Sequence, residues 1–167
     1  YNAFFRNTVK MNRSLTWVFT FSVITLVLYL GSLLGFMLQT VYAISVLGCL
    51  LSLYYLWAVW KKKYRFRRLD YIALGMMAYL LLFGITLWHS PLLHYDNFTH
   101  WATIVKFFHI NNALPTQQDT IISYYTYPVG SSLFIYFFTT IVGFSEGSML
   151  VGQFFLIASS LYAMFAA

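Results

Sequence analysis

Charge is what this sequence has least of. Only 8% of its 167 residues are charged, against about 25% in an ordinary soluble domain. So small a supply cannot cover a water-facing surface, so lipid is the expected solvent over most of it. The hydrophobic share is 60%, the aromatic share 22% and the mean hydropathy +0.70. Acids are scarcer still: 4 Asp and Glu stand against 10 Lys and Arg, for a net charge of +6. A basic balance can signal nucleic acid, but the positions argue against that partner. Nine of the ten bases fall in two clusters, Arg6, Lys10 and Arg13, then Lys61, Lys62, Lys63, Arg65, Arg67 and Arg68. Both flank long apolar runs, which is the pattern of the positive-inside rule. Cysteine is nearly absent as well. Cys49 stands alone in an apolar run, which excludes an internal disulfide, and no zinc pattern exists.

The apolar runs predict an all-α, polytopic transmembrane helix bundle. Spans are expected at about 15–38, 40–60, 71–88, 128–144 and 149–167, with an outer loop at 89–127. Gln39 and Thr40 alone separate the first two, so these read as a tight hairpin. Trp57 and Trp60 fit an interfacial belt ahead of the basic loop. The run 128–144 is only about 25 Å long at helical rise, short for a span. The basic clusters place the N-terminus and the 61–68 loop in the cytoplasm and the 89–127 loop outside. The "SEGS" turn at 145–148 is then expected inside. The first run is too long for a signal-peptide core and lacks a cleavage site. Tyr1 is not a natural start and Ala167 falls inside an apolar run, so the chain reads as the N-terminal part of a longer transmembrane domain.

The chain's scarce polar chemistry gathers in "LLHYDNFTHWATIVKFFHINNALP", Leu92–Pro115. Phe98, Trp101, Ala102, Val105 and Phe108 recur at helical spacing. They predict an amphipathic helix over about 96–109, lying on the outer face with its apolar side in lipid. Asp96 and His100 are one turn apart on one side of it. Asp96 also suits a helix cap, since its oxygens accept backbone N–H groups. His89, His94, His100 and His109 match no recognised zinc spacing and read equally well as interfacial decoration. The tripeptides at Asn12 and Asn97 fit the N-glycosylation pattern, which arises often by chance. Further on, "YYTYPVGSSLFIYF" opens the next apolar run, with Pro128 where a first helical turn tolerates proline. Its tyrosines serve a belt or a binding surface.

Taken together, the two motifs resemble polytopic membrane glycosyltransferases of the GT-C type that use polyprenyl-phosphate sugars. The resemblance rests on Asp96-Asn97 early in the outer loop, the amphipathic stretch, Leu114-Pro115, and Tyr127-Pro128-Val129-Gly130 opening the next run. It covers about residues 88–140. Two departures stand out. Asn97 occupies a position where many relatives carry a second acid, so a two-carboxylate metal site is not supported; the cofactor stays open, with a divalent metal among the candidates. The loop also follows three spans, where the usual core has it after one.

The resemblance implies transfer of a sugar from a polyprenyl-phosphate-linked donor to an acceptor at the outer face. The setting would be a multi-pass protein, most naturally of a bacterial plasma membrane. It implies Asp96 as catalytic base, His100 or Lys106 meeting the phosphate, and Tyr124, Tyr125 and Tyr127 binding the sugar. Tyr125 and Tyr127 are expected to line a cavity facing the Asp96 helix. The partners implied are membrane lipid and the lipid-linked donor, with no nucleic acid. Other readings are a transporter or flippase of lipid-linked glycans, a glycan polymerase or ligase on another fold, and a non-enzymatic subunit. Ion-coupled transport fits poorly, because the spans carry essentially no charge.

Overall fold

The computed structural model describes residues 1–61, 71–122 and 125–165. Among them every regular element is a helix. Seven α-helices run in order: α1 (Asn2–Thr8), α2 (Leu15–Leu33), α3 (Met37–Trp60), α4 (Tyr71–Trp88), α5 (Ala102–Asn111), α6 (Gly130–Val142) and α7 (Glu146–Phe165). A π-helical turn, Asn97–Trp101, leads into α5. Four of these helices, α2, α3, α4 and α7, are long and apolar enough to cross a membrane. At about 1.5 Å per residue, α6 with its 13 residues reaches only about 20 Å.

The hairpin between α2 and α3 turns at Leu34–Phe36, not at Gln39–Thr40. Gly35 adopts φ +77°, a left-handed conformation that glycine takes without steric cost. The Phe36 N–H then donates to the Gly31 carbonyl at 2.8 Å and the Gly35 N–H to Ser32 at 3.1 Å, which closes the end of α2 in a Schellman-like turn. Gln39 and Thr40 fall in the first turn of α3. Thr40 sits over Gly31, where a Cβ would lie 2.1 Å from its Oγ1, so glycine is what lets the two helices approach.

Helices α4 and α7 pair antiparallel. Trp88, at the end of α4, meets Gly147 at the start of α7. Midway, Phe154 packs on Tyr79 and Phe83 at ring distances of 5.2 and 6.0 Å. At the far end, Ala73 and Tyr162 share a groove with Arg13. The first basic cluster, the start of α4 and the end of α7 therefore occupy one end of the bundle. Ser145 caps α7 reciprocally with Ser148: the Ser148 N–H donates to Ser145 Oγ at 3.0 Å, and the Ser145 N–H to Ser148 Oγ at 2.9 Å. Glu146 follows in the first turn, where the helix dipole favours an anion. Its Oε2 accepts the Leu92 N–H at 2.8 Å.

That bond corrects the expected side of the "SEGS" turn. The turn lies beside Leu92, at the same end of the bundle as the start of the 89–127 loop, not at the opposite end. The chain leaves α4 and enters α7 on one face, and everything between is an excursion from that face.

The excursion is packed into the bundle. Ile104 and Phe108 of α5, Ile122 of the loop, and Leu133, Phe134 and Tyr136 of α6 form one core with Ile24 and Leu28 of α2 and Met37, Val41 and Ile44 of α3. A second cluster joins Val105 to Leu92, Ile135 and Met149. The stripe expected to lie in lipid thus splits: Val105 and Phe108 are fully buried against protein, while Phe98 is 58% exposed. An apolar helical face is complementary to either partner, and here α6 supplies the cover.

Candidate functional site

The segment before α6 runs exposed along the bundle at residues 125–128 before the helix begins. Pro128 has no N–H to satisfy and Val129 caps the helix through its backbone, its carbonyl accepting the Leu133 N–H at 2.8 Å. No side chain caps this end. The first turn of α6 lands beside Thr25, whose Cγ2 would lie 3.7 Å from a Cβ on Gly130. Thr25 is near the middle of α2, so α6 begins well inside the bundle.

Around this landing point opens a cleft of about 790 Å³, within the range of small-molecule sites. Its polar lining comes from four places: Ser22, Thr25 and Tyr29 of α2, Tyr125, Thr126 and Tyr127 of the preceding segment, Ser131 of α6, and Ser159 and Ser160 of α7. Leu114 and Pro115 close one side. No charged residue lines it among the described residues.

Four of these hydroxyls are engaged with their own helices. Ser22 donates to the Val18 carbonyl at 2.9 Å and Thr25 to Phe21 at 2.9 Å. Ser159 and Ser160 both donate to Leu156, at 2.8 and 3.1 Å. A hydroxyl has one proton and two lone pairs. With the proton turned to the backbone, what remains is acceptor capacity.

Tyr125 and Tyr127, singled out by the sequence, both line this cleft, 39% and 45% exposed. Tyr124 lies outside the described residues. The cleft does not face the Asp96 helix as expected; it opens between α2 and α7, and no residue from 96 to 111 lines it. Asp96 sits elsewhere, exposed before the π-helical turn. Its own backbone is already helical, and its carboxylate makes no cap hydrogen bond. Its Oδ2 lies 3.5 Å from Nδ1 of His94, and both side chains are mostly exposed. Lys106 is exposed on α5. His100 belongs to the π-helical turn, and its side chain lies outside the described residues. The structure thus brings the two tyrosines together and leaves Asp96 and Lys106 apart from them. No group of three His, Cys, Asp or Glu side chains able to hold a metal occurs among the described residues.

The hydroxyls on α2 and α7 were missed by sequence reasoning. Their only signal is serine and threonine inside otherwise apolar runs, a pattern equally common where such residues bond their own backbone.

One histidine is integrated into the packing. His109 Nε2 lies 2.8 Å from Thr139 Oγ1, and Thr139 donates to the Ile135 carbonyl at 2.9 Å. With the Thr139 proton so placed, Nε2–H is the donor between them. The ring also meets Tyr136 and Phe144 at 4.9 and 4.7 Å. Burial pushes its pKa below the usual imidazole value. Next to it, Tyr136 donates to Asn112 Oδ1 at 2.9 Å, and Asn112 takes the left-handed conformation that ends α5.

The chain matches no family model, no curated protein and no solved structure.

Proposed function

We propose that this chain is part of a membrane glycosyltransferase that moves a sugar from a polyprenyl-phosphate-linked donor to an acceptor at the outer face. The observation that carries the reading is the cleft: a mainly apolar, tyrosine-bearing space with hydroxyls from four segments, opened by the Tyr-Pro-Val-Gly segment inside a bundle of membrane-length helices. Tyrosine joins an apolar ring to a polar tip, which suits sugar faces and edges. The lipid tail of the donor stays in the bilayer beside it. The protein sits in a bacterial plasma membrane with its N-terminus in the cytoplasm, an orientation supported by the basic clusters.

In this reading a carboxylate takes the proton of the acceptor hydroxyl; Asp96 is the candidate for it, although it stands apart from the cleft in this structure. The acceptor oxygen then bonds to the anomeric carbon as the bond from that carbon to the phosphate oxygen breaks. Polyprenyl phosphate leaves with the electron pair, and Lys106 or His100 meets its charge. The exposure of Asp96 leaves its oxygens accessible to an acceptor. Transfer from a polyprenyl-phosphate sugar by the purified full-length protein tests this role. Asp96→Asn keeps the shape of the side chain and removes the base, so the rate should fall by about 10²-fold or more with expression and melting unchanged. A variant that keeps most of its activity excludes Asp96 as the base.

A second reading, a transporter of lipid-linked glycans, is favoured by one observation: no carboxylate lines the cleft among the described residues. It expects binding of the glycan, its movement across vesicles, and no transfer.

A further inference from the structure

The cleft's hydrogen-bonding capacity is lopsided, and that narrows what can occupy it. Ser22, Thr25, Ser159 and Ser160 direct their protons to their own backbone carbonyls, so toward the cleft they present lone pairs. Beside Thr25, the first turn of α6 lines the cleft at Gly130 and Ser131. Its leading N–H groups have no side-chain cap, and the N–H groups of a first helical turn have no carbonyl within their own helix. These four hydroxyls therefore offer acceptors and the first turn of α6 offers donors, while lining hydroxyls such as Tyr29 and Tyr125 can do either.

A phosphate could use the N–H groups, but its oxygens would also face the oxygen lone pairs of α2 and α7. An ammonium group could use the hydroxyls, but would meet the positive end of α6. No charged side chain among the lining residues compensates either ion, and the cleft runs along Val18 to Tyr29, the central part of a membrane-length helix, where charge is costly. A sugar hydroxyl both donates and accepts, so a ring bearing several satisfies both kinds of wall at once.

We infer that this cleft takes a neutral, polyhydroxylated group and excludes the phosphate that would accompany it, which then lies outside the cleft. The inference deepens the glycosyltransferase reading and rests on it for the identity of the sugar carrier. Binding to the cleft is nonetheless measurable without any transfer.

The test uses the full-length protein in zwitterionic nanodiscs with three probes that share one tail: farnesyl glucoside, farnesyl phosphate and farnesylamine. The glucoside should bind at least about 10-fold more tightly than the other two, a difference of about 1.4 kcal/mol. The double variant Thr25→Val, Ser160→Ala removes an acceptor from each wall with little change of shape. It should weaken the glucoside by about 10-fold and leave the phosphate and amine unchanged. Single variants at the same positions, each losing less, serve if the double variant does not fold. Phosphate or amine binding as tight as the glucoside and weakened by the same cleft variants, or a glucoside indifferent to all these variants, overturns the inference. Selective glucoside binding together with undiminished transfer by Asp96→Asn would leave the cleft's chemistry standing and remove only the catalytic assignment. Loss of transfer in Asp96→Asn with phosphate bound most tightly in the cleft would do the reverse.

Discussion

Helices α4 and α7 make a natural pair for comparison. They have 18 and 20 residues, both are membrane-length and apolar, and they lie against each other. Yet in their most apolar stretches 50% of residues in α7 are buried within the protein and only 6% in α4. Hydrophobicity does not explain this, because lipid is as apolar as a leucine side chain and gives a helix no reason to leave it. The difference lies in small and hydroxyl-bearing residues. The buried positions of α7 include Gly147, Ser148, Gly152, Ala158 and Ser159, which permit close approach on more than one side. In α4 only Ala73 is buried, and among the described residues nothing approaches Gly75 or Gly84 within 4 Å of where a Cβ would be. A small residue supports packing only where a partner comes close.

The sharpest way to break this comparison is a paired substitution. A Cβ on Gly147 would lie 2.0 Å from the Trp88 carbonyl oxygen, a backbone atom with little room to move. Gly147→Ala should cost about 3 kcal/mol or more of unfolding free energy in mild detergent. Gly84→Ala should stay within about 0.5 kcal/mol or stabilise slightly through helix propensity. Equal losses would mean that burial does not separate the two helices.

A smaller effect is expected for large side chains. Phe154→Ala removes the ring that meets Tyr79 and Phe83. In water such a change costs about 3–5 kcal/mol. In lipid the transfer part is largely absent, and lost packing leaves about 2 kcal/mol. Leu82→Ala, at 69% exposure on α4, should change the melting curve very little.

The polar link between the helix ends comes next. Glu146→Ala leaves the Leu92 N–H without its acceptor, at about 1–2 kcal/mol, whereas Glu146→Gln retains an acceptor and should lose less. Thermal unfolding of the two variants side by side reads the difference.

The smallest effect concerns pH. The pKa of His109 is lower in the folded chain than the unfolded value of about 6.5. Below that value the unfolded chain binds more protons, so this contribution is complete above about pH 6.5 and is lost as the pH falls toward the folded pKa. Melting temperature should therefore drop on acidification through that window, and His109→Gln should flatten the slope. An unchanged slope would place the titrating group elsewhere.

The four long helices were legible because membrane thickness sets a length that any apolar run can be measured against. The ends were less so. Gly35 sits inside an apolar run, and only its left-handed backbone reveals that the turn comes before Gln39. Glu146 was assigned to the cytoplasmic side by counting the run 128–144 as a crossing; the turn around it carries no basic residue, so the positive-inside rule has no purchase there. The face of α5 was read correctly as apolar and assigned the wrong neighbour, since Val105 and Phe108 suit lipid and protein equally. At the candidate site, Tyr125 and Tyr127 were visible through the proline and glycine beside them. Ser22, Thr25, Ser159 and Ser160 were not, because only the packing of two helices far apart in sequence brings them to one cleft.

The shared face of Trp88 and Glu146 has a consequence for how the chain is built. If the four long helices cross a membrane, the run from Pro128 to Phe144 must be declined as a stop-transfer segment during insertion, although Leu133, Phe134, Ile135, Phe137 and Phe138 would favour its retention. Its short length and its Ser131, Ser132, Tyr136, Thr139 and Thr140 hydroxyls weaken that retention. Were the run kept as a crossing, α7 would start from the opposite face and could not meet α4 antiparallel. Added apolar length in α6 should therefore produce a fraction of molecules with everything after it inverted, a failure of topogenesis with every local contact surface still intact.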